Sequence, residues 1–411
     1  MKKALLSLLL VTVVAFVWAG WPVYQFFSHR GAVPMLPTGF VQIPLTGPTH
    51  SQIDNKTYQR AGEQALQRLQ ERRQKILAPG ISAAVAIKGE RVWAGTVGWA
   101  DIAKEQPVTA DTQFRIGSTS KPVTITALAK LVERGLIDLD TPIGEYLSPL
   151  PNPAWTSITP RQLASHSAGL VEYKQTQDLM GLYHIMALRK RYDTAREALE
   201  IFDDSDLLFT PGSNFHYTSY STVLLSAVME AVTDTPLPAL MQSMVFAPLN
   251  LAQTLPEPIK PPKHLASFYW RDGRQAKIWR KVDLSHRLAG GGYISTPSDL
   301  VTLGSAWLDP DVIAPELRDS FWQPQALPSG DINSQNYALG WRLHKADDYM
   351  PTHANHGGVS RGSQSWLMVI PDFQMAVAVS INSNTDVFWD FGETAVEIAR
   401  HFMALEDNKT P

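Results

Sequence analysis

Short apolar runs bounded by turn formers occur near the start and near the end of this chain. Ile81–Ile87 and Arg91–Gly98, joined by Lys88-Gly89-Glu90, predict a β-hairpin. Tyr337–Leu343, Ser365–Ile370 and Met375–Ile381 predict three more strands, with Pro371-Asp372-Phe373-Gln374 as the turn between the last two. Between these groups the spacing changes to helical. In Lys121–Arg134 the apolar residues Ile125, Leu128, Leu131 and Val132 share one face, and Gly135 supplies the stop. Thr159-Pro160-Arg161-Gln162 is a capping box with proline at the first helical position. Arg189–Phe202, Tyr220–Val232 and Leu237–Val245 read as further helices. A polar helix over Tyr58–Leu77 and an amphipathic one over Val387–Met403 complete the pattern. The class is α+β: one antiparallel sheet built from both ends of the chain, flanked by helices, with a mostly helical region inserted at about 140–285.

The N-terminal stretch follows a different rule. Lys2 and Lys3 precede an uncharged run from Ala4 to Tyr24. A cleaved signal peptide would use Ala4–Phe16 as its apolar region and end after Ala19. A retained anchor would use the whole run, near the ~20 residues that cross a bilayer, with Trp18, Trp21 and Tyr24 as an interfacial belt. The aromatic cluster favours the anchor over residues 1–25, and both readings export the remainder. Residues 26–55 hold Pro34, Pro37, Pro44 and Pro48 and read as a linker without regular structure. One large domain follows at 56–405.

Composition narrows the chemistry. The 411 residues carry a net charge of −3 and no long basic run, which speaks against nucleic acid as a partner. Cysteine is absent, so a thiol nucleophile and disulfides are excluded. Nothing implies a cofactor. His353 and His356 are three apart in what reads as a loop without acidic neighbours, so no metal site is expected. Oligomeric state is not legible.

The candidate chemistry lies where the Lys121 helix begins. Pro122 fits only the first turn of a helix, so the helix starts close to Ser118. Residues three apart then share a face, and Lys121 reaches the Ser118 hydroxyl. A cation in the first turn opposes the helix dipole, which favours the neutral amine a general base requires. One Ser-x-x-Lys is expected by chance in about every chain of this length, so partners are needed. Tyr217, in Tyr217-Thr218-Ser219, can carry a proton if a cation such as Lys121 lowers its pKa. His356-Gly357-Gly358 lets backbone approach closely, so the N–H groups of Ser118 and a residue near Val359 could form an oxyanion hole. Gly358-Val359-Ser360-Arg361-Gly362 imitates a nucleophile elbow, but a polar loop before it and a strand after it do not suit one. Gly290-Gly291-Gly292 reads as a tight turn, and His166 and His216 as hydrogen-bonding loop residues.

Taken together, the segments resemble the serine β-lactamase and penicillin-binding-protein superfamily, in its class C-like branch. Phe114–Lys121 resembles the family's Ser-x-x-Lys segment, and Leu163–Leu170 its Leu-Leu-Ser-His-Thr-Ser-Gly-Leu loop. Tyr217-Thr218-Ser219 resembles Tyr-x-Asn, Ala289–Gly292 with Asp299-Leu300 matches a further signature, and His356-Gly357-Gly358 falls at the Lys-Thr-Gly or His-x-Gly position. Asp204–Ser213 and Val282–Ser285 are similar to the mitochondrial serine β-lactamase-like group. The resemblance spans about 60–405. It implies a β-lactamase/transpeptidase-like fold and an acyl-enzyme on Ser118, with Lys121 and Tyr217 moving the proton. Ser219, His356, Gly357, Gly358 and Val359 would line the substrate or oxyanion subsite. Two departures stand out: Ser219 replaces the usual Asn, and His356 the usual Lys, which removes a fixed positive charge. The implied substrate is a small molecule, peptide or ester, with peptidase, amidase or esterase chemistry ahead of a weak β-lactamase or D-Ala carboxypeptidase. A non-catalytic penicillin-recognising or scaffold protein is the alternative. The loops near Tyr173–Tyr192 are expected to shape the pocket.

Overall fold

The computed structural model describes residues 2–407 except Lys174, Thr176 and Gln177, so these three members of the Tyr173–Tyr192 segment lie outside the described residues. Helix α1 (Lys2–Ser28) is long and apolar enough to cross a membrane, and its apolar side chains Leu5–Trp18 are exposed. The central sheet takes β1 (Thr49–Ile53), β2 (Gly80–Ile87) and β3 (Glu90–Asp101) from the first part of the chain. It takes β4 (Arg342–His344), β5 (His353–Ser360), β6 (Ser363–Ile370) and β7 (Met375–Ile381) from the last. Their order is β4-β5-β6-β7-β2-β3-β1, with every neighbouring pair antiparallel. The two ends of the chain meet where β7 pairs with β2, from Met375 opposite Ile87 to Ile381 opposite Ile81.

Side-chain alternation on β2 separates two cores. Ile81, Ala83, Val85 and Ile87 pack under α2 (Gln59–Lys75) and the C-terminal helix, whereas Ala84 and Ala86 face the opposite layer. That opposite layer contains α3 (Ser120–Glu133), α5 (Ser219–Thr233) and α6 (Pro297–Ala306). The small alanines bring α6 down onto the sheet: a Cβ at Gly304 would stand 2.9 Å from that of Ala376. The C-terminal helix, α7 (Phe388–Asp407), is clamped to α2 by Glu397, which binds Arg72 at 2.8 Å and also pairs with Arg68.

Several expectations need correction. The 26–55 segment is not free of regular structure: β1 joins the edge of the sheet beside β3, and Phe40–Gln42 pairs with Gln275–Ile278. Its polar strands are specified by pairing partners, not by their own alternation. Arg189–Phe202 is not one helix. Leu188 takes a left-handed backbone, and the Thr194–Glu197 capping box delays the start, leaving one short helix at Ala195–Ala198 and a 3-10 turn. An unexpected helix, α4 (Leu179–Ala187), precedes it, capped by Asp178. The inserted region also contains a hairpin, Tyr269–Asp272 with Gln275–Ile278. Tyr337–Leu343 is mostly a turn, because Gly340 at φ +74° passes directly over Ile125, and β4 begins only at Arg342. The His356 segment is a strand, β5, not a loop.

Candidate active site

Ser118 occupies a 3-10 turn, Gly117–Thr119, that runs directly into α3. Backbone contact makes this turn part of the sheet edge. A Cβ at Gly358 would lie 1.9 Å from the Ile116 carbonyl oxygen and 2.7 Å from the Ser118 nitrogen. Gly117, at φ +52°, would place a Cβ 2.6 Å from the Val359 carbonyl carbon. Only glycine at both positions lets β5 lie flush against the serine turn. The Thr119 hydroxyl donates to His356 O at 3.3 Å, and Ser365 on β6 donates to Ile116 O at 2.7 Å.

Three residues from Ser118, Lys121 is 1% exposed. Its Nζ lies 3.3 Å from Ser118 Oγ, 3.0 Å from Ser219 Oγ and 3.0 Å from Gly290 O, and no carboxylate pairs with it among the described residues. Burial lowers its pKa, aided by the charges of Arg342 and Arg287 and opposed by Tyr217. Three neighbours saturate an ammonium; the neutral amine keeps two donors and turns its lone pair to a hydroxyl. The Tyr217 ring stands 4.8 Å from Lys121 Nζ, and its phenol is near enough to Lys121 and Ser118 for both to act on its pKa. Burial alone would raise the phenol, but the nearby Lys121, Arg342 and Ser118 prevail and lower it. Lys121 and Tyr217 thus shift each other, the amine lowering the phenol and the phenol raising the amine. The triple glycine is more than a turn: Gly290 supplies the carbonyl that holds Lys121 and packs 3.1 Å from the Ser219 Cβ.

His356 is fully buried. Its Nδ1 donates to Gly357 O at 2.8 Å, which leaves Nε2 to accept from the Tyr337 hydroxyl at 2.9 Å and Arg342 Nη1 at 3.3 Å. Burial, with Arg342 and Lys121 nearby, holds its pKa well below the ordinary histidine range, so the ring is neutral. The positive charge that His356 lacks is supplied by Arg342. This guanidinium stands 5.2 Å from the Tyr217 ring centroid and has no carboxylate partner among the described residues. Sequence reasoning missed it, because Arg342 belongs to β4 and reaches the site only through strand pairing. It missed Tyr337 as well, which lies in the turn before β4 and folds back opposite Arg342. His166 is not simply a loop hydrogen-bonder: its ring packs 4.4 Å from that of Tyr217 and 4.6 Å from that of Tyr337.

Two look-alikes remain outside this group. A strand precedes Ser360 and a hairpin to β6 follows it, so the helix that an elbow needs is missing. His353 hydrogen-bonds to Pro351 O and stacks on His344, and three residues of strand turn it away from His356.

The family model for beta-lactamase matches residues 65–399. The human mitochondrial serine beta-lactamase-like protein LACTB is 25% identical, over 77% of this chain and 73% of its own length. Esterase EstB of Burkholderia gladioli is 27% identical, over 74% of this chain and 86% of its own. The D-stereospecific amidohydrolase from Streptomyces sp. superposes with a TM-score of 0.67 at 23% identity, over 80% of this chain and 98% of its own, and shows the same fold. The Ser118 turn, the buried Lys121 and the strand laid against them thus lie within the matched span, and the chain belongs to the beta-lactamase family of serine hydrolases.

Proposed function

We propose that this protein is an exported hydrolase that cleaves esters or amides through an acyl-enzyme on Ser118. One observation carries the reading: the Ser118 hydroxyl, a buried Lys121 amine without a carboxylate, and the Tyr217 phenol meet at one point. With both groups neutral, the Tyr217 oxygen takes the Ser118 proton as Oγ attacks the carbonyl carbon, while the phenol passes its own proton to Lys121 Nζ. Tyr217 returns that proton to the leaving oxygen or nitrogen. Water, deprotonated by the same pair, then attacks the acyl carbonyl and frees Ser118. The N–H groups of Ser118 and Val359 stabilise the oxyanion in both halves. Ser219 keeps Lys121 in place and leaves more room than asparagine would. The esterase and the amidohydrolase among the similar proteins support ester or amide substrates. Helix α1 supports export, with the catalytic part anchored outside the cytoplasm.

Arg342 favours a second reading, a penicillin-type substrate or a peptide with a free carboxylate, since it restores a cation beside Tyr217. Rates on p-nitrophenyl acetate, a D-amino-acid anilide and a chromogenic cephalosporin separate the two. The ester and the anilide are expected to turn over faster than the cephalosporin. Ser118→Ala, Lys121→Ala and Tyr217→Phe should each cost about 10²-fold or more in kcat. Turnover unaffected by Ser118→Ala would exclude the mechanism.

A further inference from the structure

Beside the Ser118 turn, four guanidinium groups collect with no acid among them. Arg30, just past α1, sits 3.6 Å from the Phe26 ring centroid, and Arg361, just past β5, stands 5.9 Å from the same ring. Arg361 is also 5.9 Å from the ring of Trp279, next to Arg280. Arg287 and the serine turn lie on either side of Gly291. The Arg287 Cδ lies 3.9 Å from a Cβ built at Gly291, and that position is 3.7 Å from the Gly117 carbonyl carbon. None of the four has a carboxylate partner among the described residues. The nearby acids are committed elsewhere: Glu257 grips Arg115 at 2.6 and 2.7 Å, and Asp283 faces Arg191. The Nε atoms of Arg280 and Arg287 and the Trp279 indole nitrogen are buried with no hydrogen-bond partner among the described residues, although the Arg280 Nη atoms already donate to Met186 O at 2.8 Å and Lys281 O at 3.3 Å. Burial and the other three arginines push the Arg361 guanidinium well below its ordinary range.

Like charges gathered under partial burial are unfavourable unless an anion joins them. Guanidinium forks match the oxygens of phosphate, and several of them suit a group with more than one negative charge. We propose that Arg280, Arg287 and Arg361, closed by Arg30 from the end of α1, form a subsite beside Ser118 for a phosphate-class group. The substrate would then be an acyl compound that carries a phosphate, either free or as a lipid headgroup. The word substrate rests on the serine-hydrolase reading; the anion site does not.

The test uses the full chain in nonionic detergent micelles with the Ser118→Ala substitution, so that nothing is turned over. Inorganic phosphate is titrated while Trp fluorescence and the unfolding temperature are followed. Saturable binding that raises the unfolding temperature is expected, weakened about tenfold or more by Arg361→Met and by Arg287→Met and less by Arg361→Lys. Removing one of several repelling charges should leave the ligand-free unfolding temperature unchanged or higher, which separates lost binding from misfolding. Dihexanoyl phosphatidic acid, against dihexanoyl phosphatidylcholine, identifies the source. Tighter binding than inorganic phosphate, lost in both Met variants, assigns a lipid headgroup; equal affinity assigns a free phosphate. No saturable binding of phosphate, or binding that survives both Met substitutions, overturns the proposal. A wild-type protein that fails to react at Ser118 but still binds phosphate would sink the hydrolase reading alone.

Discussion

At the scale of single residues, the proposed mechanism requires a neutral Lys121 and an easily ionised Tyr217 side by side in a buried site. Arg342 pushes both in that direction: its charge opposes a proton on Lys121 and favours the Tyr217 phenolate. The base form of the pair must lose a proton, so kcat/KM should rise with pH along an acid limb. Arg342→Gln removes a charge that lowers both pKa values, so the limb should move to higher pH. A pH–rate profile of the variant that coincides with wild type would show that Arg342 does not tune the pair. The pairing of Ser118 with Lys121 was legible in the sequence because helix geometry links them, whereas Tyr217 entered through its resemblance to Tyr-x-Asn. Arg342 and Tyr337 were not legible, since no local rule brings β4 and the turn before it beside β5. The expected loss of positive charge at His356 was right for that residue alone; a different strand replaces it.

The element scale explains the two glycines that flank the chemistry. Strand β5 meets the serine turn backbone to backbone, with less than a methyl group of space at Gly358. Gly358→Ala should therefore displace the turn and cost about 1–3 kcal/mol of stability or more, together with most of the activity. Gly304→Ala on α6, whose Cβ would meet Ala376 at 2.9 Å, should cost a similar amount of stability while the folded protein keeps its rate. Thermal unfolding and active-site titration of the two variants check the contrast. The hairpin β2–β3 and strands β6 and β7 were readable from their apolar runs. Strand β5 was not, because His353-Ala354-Asn355-His356-Gly357-Gly358 carries no apolar alternation, and its conformation comes from pairing with β6. Helix α4 was hidden for a different reason: its apolar residues lie all round, so no periodicity marks it.

Across the whole molecule, the sheet and its covering helices join the two ends of the chain, and the catalytic turn is pressed between them. The α2–α7 clamp is where charge contributes to that closure. Burial raises the Glu397 carboxyl, but bonds from Arg68 and Arg72 outweigh it and lower the pKa. A depressed carboxylate adds stability above its unfolded pKa, near 4.5, and loses it as the pH falls through the folded value. Glu397→Gln leaves the Arg72 side chain, 2% exposed, without its closest partner. It should cost about 3 kcal/mol at neutral pH and flatten the acid slope of stability. Equal denaturant midpoints for variant and wild type would show that the clamp contributes nothing. The antiparallel sheet and the covering helices were readable from the order of the apolar runs; in the inserted region helix α5 was readable, while helix α4 and the hairpin were not. The edge strand β1 was not, for its residues are polar and its place is fixed by β3.

The central claim is that Ser118 is an activated nucleophile. The most direct measurement is the intact mass of the full chain after exposure to a fluorophosphonate, alongside Ser118→Ala and Ser360→Ala. The account predicts one adduct on wild type, lost in Ser118→Ala and kept in Ser360→Ala. An unmodified wild-type protein, or an adduct that follows Ser360, would contradict it.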